Sequence, residues 1–195
     1  MKLNKRQKKI RTVVKNRQAG FVVVLEDIHD PHNAAAILRT CDAFGVQDVC
    51  FIFEKEKKYN PRKIGKSSSS SANKWLSFKV FNSTQDCLKV LKKTGYEIIA
   101  TALTQKSKNL FKTKLLYNKI ALLVGNEHRG LSDFAIKSAD QILAIPMQGM
   151  VQSLNVSVTA GIFIYEIVRQ RQKNINKYQL NPKSANKLER DFRKR

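Results

Sequence analysis

Three stretches of the chain put polar side chains and glycines where apolar runs end. The first is Asp30-Pro-His-Asn-Ala-Ala-Ala-Ile-Leu-Arg39. Asn33 stands near an expected helix start and reads alone as an N-cap. Arg39, six residues on, reads alone as a surface arginine. That spacing is under two helical turns, so both side chains can border one ligand, and an arginine near a helix N-terminus suits a phosphate group. The second stretch, Gly125-Asn-Glu-His-Arg-Gly-Leu-Ser132, follows the spacing of a phosphate-binding P-loop. Leu131 stands where the lysine belongs, so nucleoside triphosphate binding is not expected. Its glycines permit close backbone approach to a ligand. Glu127 reads either as a solvated carboxylate or as the anchor of a neighbouring arginine. The third, Ile145-Pro-Met-Gln-Gly-Met-Val-Gln-Ser-Leu-Asn-Val-Ser157, is a mostly apolar loop made irregular by Pro146 and Gly149, with Ser153 able to open a helix. Apolar walls with backbone polar groups suit an adenine ring, and an ordinary strand-to-helix connection has the same look. His29-x-x-His32 and His128 lack a clear third ligand, so no metal is expected. No GxGxxG follows the first strand, so a dinucleotide site lacks support.

The elements that must position these loops can be read from periodicity. Residues 4–17 form a basic helix with Ile10, Val13 and Val14 as a thin apolar stripe. Phe21–Leu25 is a buried strand, broken by Asp30-Pro31. Ala34–Phe44 is a helix stopped at Gly45, and Asp48–Phe53 a second strand. Residues 54–74 carry eight charged residues and then the serines Ser67–Ser71, which predicts a flexible or functional loop. Phe78–Phe81 is a short strand, 84–94 a helix ending at Gly95, and Glu97–Ala102 and Ile120–Val124 are strands. Ser132 caps a short helix to Ala139. Gln141–Ile145 is a strand and Leu154 to about Arg171 a long helix. This alternation predicts an α/β fold with a mostly parallel sheet and helices on both faces. In such sheets ligands bind beyond the carboxyl ends of the strands, where all three unusual loops would sit.

Bulk properties point to a polyanionic partner. The 195 residues suit one domain with appendages, and 42% are hydrophobic, enough for a core. The net charge is +22. Residues 1–20 hold +8 and residues 166–195 hold +7, which suggests a near-ordinary body flanked by phosphate-gripping ends, although solvated tails would have the same composition. We therefore expect a basic N-terminal extension (residues 1–20), a catalytic or binding body (21–172) and a basic C-terminal extension (173–195). Cys41, Cys50 and Cys87 show no CxxC spacing and are expected to be buried thiols in a reducing compartment. No apolar run approaches the roughly 18 residues a membrane span needs, and the N-terminus lacks a secretory apolar core. A cytoplasmic protein is expected.

In order and in residue type, the three loops resemble the three motifs of the SpoU branch of the SPOUT RNA methyltransferases, over about Phe21 to Arg171. Asn33 and Arg39 match the first motif, Gly125–Gly130 the second, and Ile145–Ser157 the third. Within the branch, Pro-His-Asn…Leu-Arg-Thr-Cys-Asp, Lys74-Trp75 and Met147-x-Gly-Met-Val-Gln-Ser-Leu-Asn-Val-Ser are most similar to the TrmH group. That group methylates the ribose 2′-hydroxyl of guanosine 18 in the tRNA D-loop.

The resemblance implies a SPOUT-type sheet with a C-terminal trefoil knot, an exception to the rule against knots. It implies a homodimer using S-adenosylmethionine, with S-adenosylhomocysteine as product and no metal. Cofactor contacts would fall to Thr101, Gly125, Ile145 and Leu154, with Val124, Asn126 and Met147 nearby. Arg39 would act at the ribose beside Asn33, Glu127, Ser153 and Asn155. To the RNA grip we assign Arg6, Arg11, Lys74, Arg169 and Arg171. Relatives carry glycines where this chain has Ser67–Ser71. Two other readings share these residues: 2′-O-methylation of ribosomal RNA or another tRNA site, and a non-catalytic RNA-binding protein on the same fold.

Overall fold

The computed structural model describes residues 4–64 and 72–195. The serines Ser67–Ser71 lie outside them. The chain runs α1 (Lys5–Lys15), β1 (Gln18–Glu26), α2 (Pro31–Ala43), β2 (Val46–Ile52), β3 (Ser77–Phe81), α3 (Thr84–Lys93) and β4 (Glu97–Thr101). It continues through β5 (Lys108–Asn109), β6 (Ile120–Val124), α4 (Asp133–Ser138), β7 (Gln141–Ala144), α5 (Val156–Gln172) and α6 (Pro182–Lys194).

The strands form one parallel sheet in the order β3-β2-β1-β6-β4-β7-β5. β1 is central and buried on both sides, which is why Phe21–Leu25 reads as an unbroken apolar run. Its side chains still alternate. Phe21, Val23 and Leu25 join the core under α2 and α5 with Ile37, Leu38, Phe163, Ile164 and Ile167. Val22 and Val24 join the opposite core with Cys87, Leu88 and Leu91 of α3 and Ala135 of α4. Each such buried side chain contributes about 1.5–3 kcal/mol relative to exposure. The chain builds outward from β1 through β2 to β3, then adds its remaining strands on the other side of β1. The order therefore reverses between β1 and β6. A crevice at the carboxyl ends of these two strands is where an open α/β sheet takes its ligand.

Helix starts differ from the reading of the sequence by a few residues. Asp30, not Asn33, caps α2, accepting from the His32 amide with Pro31 in the first turn. Asn155, not Ser153, caps α5, accepting from the Ser157 amide. Both shifts release the side chain expected to cap for another use. Cys41, Cys50 and Cys87 are buried free thiols.

Arg171 requires a correction. Expected to grip RNA, it is fully buried on the inner face of α5. Its guanidinium donates to the carbonyls of Ala19 (3.0 Å), Gly20 (3.2 Å) and Tyr117 (3.2 Å). It also stacks against the Tyr178 and Phe21 rings. Burial pushes its pKa down to about 10. A planar fork with five donors can satisfy several converging carbonyls at once, so the side chain works as an internal strut.

The two basic ends form one unit. α1 packs on α6 through Ile10, Val14 and Phe192, with Val13, Trp75, Ala185 and Leu188 around them. Trp75 meets Phe192 edge to face at 5.2 Å. Buried Arg17 ties this unit to α2 by an ion pair with Asp42 at 2.5 Å. Lys5, Arg6, Lys8, Lys9, Arg11 and Lys15 of α1 remain exposed, as do Lys183, Lys187, Arg190 and Arg193 of α6. Among the described residues, no helix is long and apolar enough to cross a membrane.

Candidate active site

Four loops leave the carboxyl ends of adjacent strands: residues 27–30 after β1, 102–107 after β4, 125–132 after β6 and 145–155 after β7. The last three enclose a cleft of about 440 Å³. Its lining includes Thr101, Gly125, Asn126, Ile145, Met147 and Leu154, six of the seven residues expected at a cofactor. Val124, the seventh, is a buried core residue one position before the turn and is not among the cleft-lining residues.

The 125–132 turn is tightly built. Asn126 and Gly130 exchange backbone hydrogen bonds at 3.0 and 2.9 Å. The Asn126 side chain is buried, accepts from the His128 and Arg129 amides and donates to the Asp27 carbonyl. It thus organises the turn and ties it to the loop after β1. A Cβ on Gly125 would lie 2.3 Å from the Leu131 nitrogen, so only glycine lets the turn close. Across the cleft, Leu103, Ile136, Leu143, Ile145, Met147 and Leu154 supply apolar walls beside the backbone of the two loops. Apolar walls around a few backbone polar groups are what a bound adenosine requires, so the lining fits S-adenosylmethionine.

A second recess of about 670 Å³ opens beside the first. Asn33, Glu127, His128, Ser153 and Asn155 line it with His29 and Asp30. The two recesses share Glu127, His128, Ser153, Leu154 and Val156. Glu127 is the centre of a short network. Its oxygens accept from the His29 amide (2.8 Å), the Asp30 amide (3.1 Å) and Asn33 Nδ2 (2.9 Å). Asn155 Nδ2 in turn donates to Asn33 Oδ1 at 3.1 Å. Three motif loops are thereby joined through two amide side chains and one carboxylate. Partial burial pulls the Glu127 pKa up, but the hydrogen bonds from Asn33 and the two amides outweigh it and hold the carboxyl below its usual range.

Glu127 does not anchor an arginine. Glu56 does so, pairing with Arg129 at 2.7 Å while its other oxygen meets His29 Nδ1 at 2.9 Å. The hydrogen bond and charge of Glu56 raise the His29 pKa. Behind it, Asp27 sits in the left-handed region at φ 51° and accepts from the Glu54, Lys55 and Glu56 amides. Asp27 and Glu56 thus hold the loop after β2 against the site. Sequence reading missed both, since acids among lysines in residues 54–58 give no sign of what they face.

Arg39 is exposed on α2 and is not among the residues lining either recess. Of the expected RNA contacts, Arg6, Arg11 and Lys74 are exposed around the α1–α6 unit. Arg6 donates to the Arg193 carbonyl, Arg11 lies 3.7 Å from Glu189, and the Lys74 carbonyl accepts from Arg195. Arg169 is exposed on α5 and makes a two-pronged pair with Glu166 at 2.8 and 2.7 Å. Among the described residues, no group of three or more His, Cys, Asp or Glu is arranged to hold a metal ion.

Comparison with known proteins gives this geometry a context. The model of the SpoU rRNA Methylase family matches residues 20–165. The tRNA (guanosine(18)-2′-O)-methyltransferase of Aquifex aeolicus is 40% identical over 173 residues, covering 88% of this chain and 79% of that protein. The crystal structure of the A. aeolicus TrmH/SpoU tRNA modifying enzyme superposes with a TM-score of 0.87 at 34% identity, covering 96% of this chain and 94% of that one. The SpoU methyltransferase AviRb from Streptomyces viridochromogenes, solved with the cofactor AdoMet, matches with a TM-score of 0.67 at 25% identity, covering 83% of this chain and 61% of that one.

Proposed function

Because this chain belongs to the SpoU rRNA methylase family, we propose that its two adjoining recesses divide one reaction: S-adenosylmethionine-dependent methylation of a tRNA ribose 2′-hydroxyl, at guanosine 18. The observation that carries this reading is the shared wall. Glu127, His128, Ser153, Leu154 and Val156 border both recesses, so a cofactor in the first and a ribose in the second would meet there.

Bound in the first recess, S-adenosylmethionine supplies a methyl carbon made electrophilic by its sulfonium. The chain's own residues then do the positioning. Thr101, Gly125, Asn126, Ile145, Met147 and Leu154 hold the cofactor, with Val124 supporting the turn from the core. Glu127 fixes Asn33, and Asn33 fixes Asn155, so the polar edge of the second recess is set before the ribose arrives. Ser153 presents a hydroxyl at the shared wall. Arg39 orients the RNA by a phosphate or the ribose itself. A guanidinium, with a free pKa above about 12, is a poor proton acceptor at neutral pH.

The exposed cations of α1 and α6, with Lys74 and Arg169, form the proposed RNA surface, and residues 21–172 form the catalytic body. If this surface neutralises six or more phosphates, affinity should fall about 1,000-fold or more between about 50 and 200 mM salt. A flat response in a filter-binding titration would count against it. We also propose a homodimer through the face on which Val158 and Tyr165 of α5 are exposed beside Phe44. An apolar face of this kind is a common association site. Sedimentation should give twice the 22.3 kDa chain mass, and a monomer would exclude the pairing. Its substrate and its free thiols place the protein in the cytoplasm.

The test of function is transfer of labelled methyl from S-adenosylmethionine to tRNA and to ribosomal RNA offered separately, with the product nucleotide mapped. Label at guanosine 18 of tRNA supports the reading, and an Arg39→Ala enzyme should bind cofactor but not turn over. Label only in ribosomal RNA, or tight RNA binding with no transfer, would replace it.

A further inference from the structure

We infer that His128 takes the proton from the ribose 2′-hydroxyl. The inference rests on the methyl-transfer reading and fills a step that reading leaves open.

The reaction needs a proton acceptor where the two recesses meet, and the other candidates there are poorly suited. The Glu127 carboxylate is occupied by three donors, which stabilise its charged form and weaken it as a base. Ser153 is a hydroxyl, Asn33 and Asn155 are amides, and Arg39 carries a guanidinium. Among the other imidazoles, His29 Nδ1 is paired with Glu56 and His32 Nδ1 with Asp30. His128 differs from all of these. It borders both recesses. Its backbone is pinned, because its amide donates to Asn126 Oδ1 at 2.9 Å. Its ring nitrogens have no hydrogen-bond partner among the described residues, and the side chain is exposed. An imidazole is also the side chain whose ordinary titration lies near neutral pH, where a general base is most effective.

The groups around His128 suit an imidazole that must gain and lose a charge. His29 stands edge to face with it at 5.9 Å, backed by Glu56. Glu127 and Arg129 flank it in its own turn, and Asp30 lines the same recess. From the loop after β7 it meets only the uncharged Ser153 and Asn155. In the step itself, the 2′-O–H bond breaks and its proton passes to an imidazole nitrogen. The oxygen's electron pair forms the bond to the methyl carbon, and the carbon–sulfur bond breaks with its pair left on sulfur. The exposed imidazolium then returns its proton to solvent.

The test uses the full chain with S-adenosylhomocysteine and an unmodified tRNA transcript. In an NMR titration, the His128 ring Cε1–H signal, assigned by its absence in His128→Gln, should move when tRNA joins the S-adenosylhomocysteine complex. In turnover assays, His128→Gln should lower kcat about 100-fold and flatten the acidic limb of the kcat–pH profile, with cofactor affinity unchanged. Added imidazole should restore part of the rate to His128→Ala. A ring signal indifferent to tRNA, or a variant with wild-type kcat and pH profile, would overturn the role. Failure of the wild-type chain to methylate any RNA would instead overturn the methyl-transfer reading, and the NMR measurement would still report whether His128 meets RNA.

Discussion

Replacing Glu127 by alanine is expected to lower kcat about 100-fold while cofactor affinity changes little. The reason is positional. In the folded chain this carboxylate collects the His29 and Asp30 amides and Asn33 Nδ2, and Asn33 in turn fixes Asn155. Without it, two amides and one side chain lose their acceptor, and the second recess loses its link to the turn that lines the first. Displacing reacting groups by about 1 Å is enough for a 100-fold loss. The apolar walls of the cofactor recess come from other residues, so calorimetric titration with S-adenosylhomocysteine should give a near-wild-type Kd. Glu127→Gln is the informative companion. Its amide oxygen can accept one of the three donors, but its NH2 would face another N–H, so partial recovery is expected. If alanine leaves kcat unchanged, or if the loss falls wholly on cofactor Kd, the network does not align the acceptor.

Arg171→Met is expected to destabilise the chain by about 3–5 kcal/mol, because removing one partner from a buried, satisfied polar cluster leaves the others stranded. The carbonyls of Ala19, Gly20 and Tyr117 would lose their donors at the start of β1 and before β6. At this chain length that corresponds to a fall in Tm of about 10 °C by thermal melting. Arg171→Lys should recover only part of it, since a single ammonium cannot span the same three oxygens as a fork. A melting temperature within about 2 °C of wild type would show that water satisfies those carbonyls instead. The same variant also separates stability from RNA contact. Protein that remains folded should bind tRNA as the parent does, because the replaced side chain never reaches the surface.

Arg171 also shows what a sequence conceals. Along α5, the inward positions are Ala160, Phe163, Ile164, Ile167 and Val168, at the three- and four-residue steps of a helical stripe. Position 171 continues that stripe, so its burial was legible in the spacing and hidden by the residue type. The sheet was easier. Apolar runs such as Phe21–Leu25 and Ile120–Val124 state where a parallel sheet is buried on both faces, and glycines mark where its helices stop. The site was legible in outline, because its loops combine glycine, proline and polar residues at strand ends. The internal wiring was not. Asp27 collecting three amides, Glu56 between His29 and Arg129, and Asn126 reaching the loop after β1 are contacts across 27 to 99 residues. No local period encodes such distances.

The packing of α1 against α6 has a temporal consequence. During synthesis the first helix leaves the ribosome well before its partner exists, with Ile10 and Val14 uncovered and a strongly cationic surface already displayed. Phe192 is translated only at the far end. Until those residues emerge, the first helix has no docking site, although the sheet that follows it can begin to assemble as a unit. The assembled surface would thus be a mark of completed translation, and a nascent or truncated chain would meet RNA with loose, unaligned charge rather than a formed binding face.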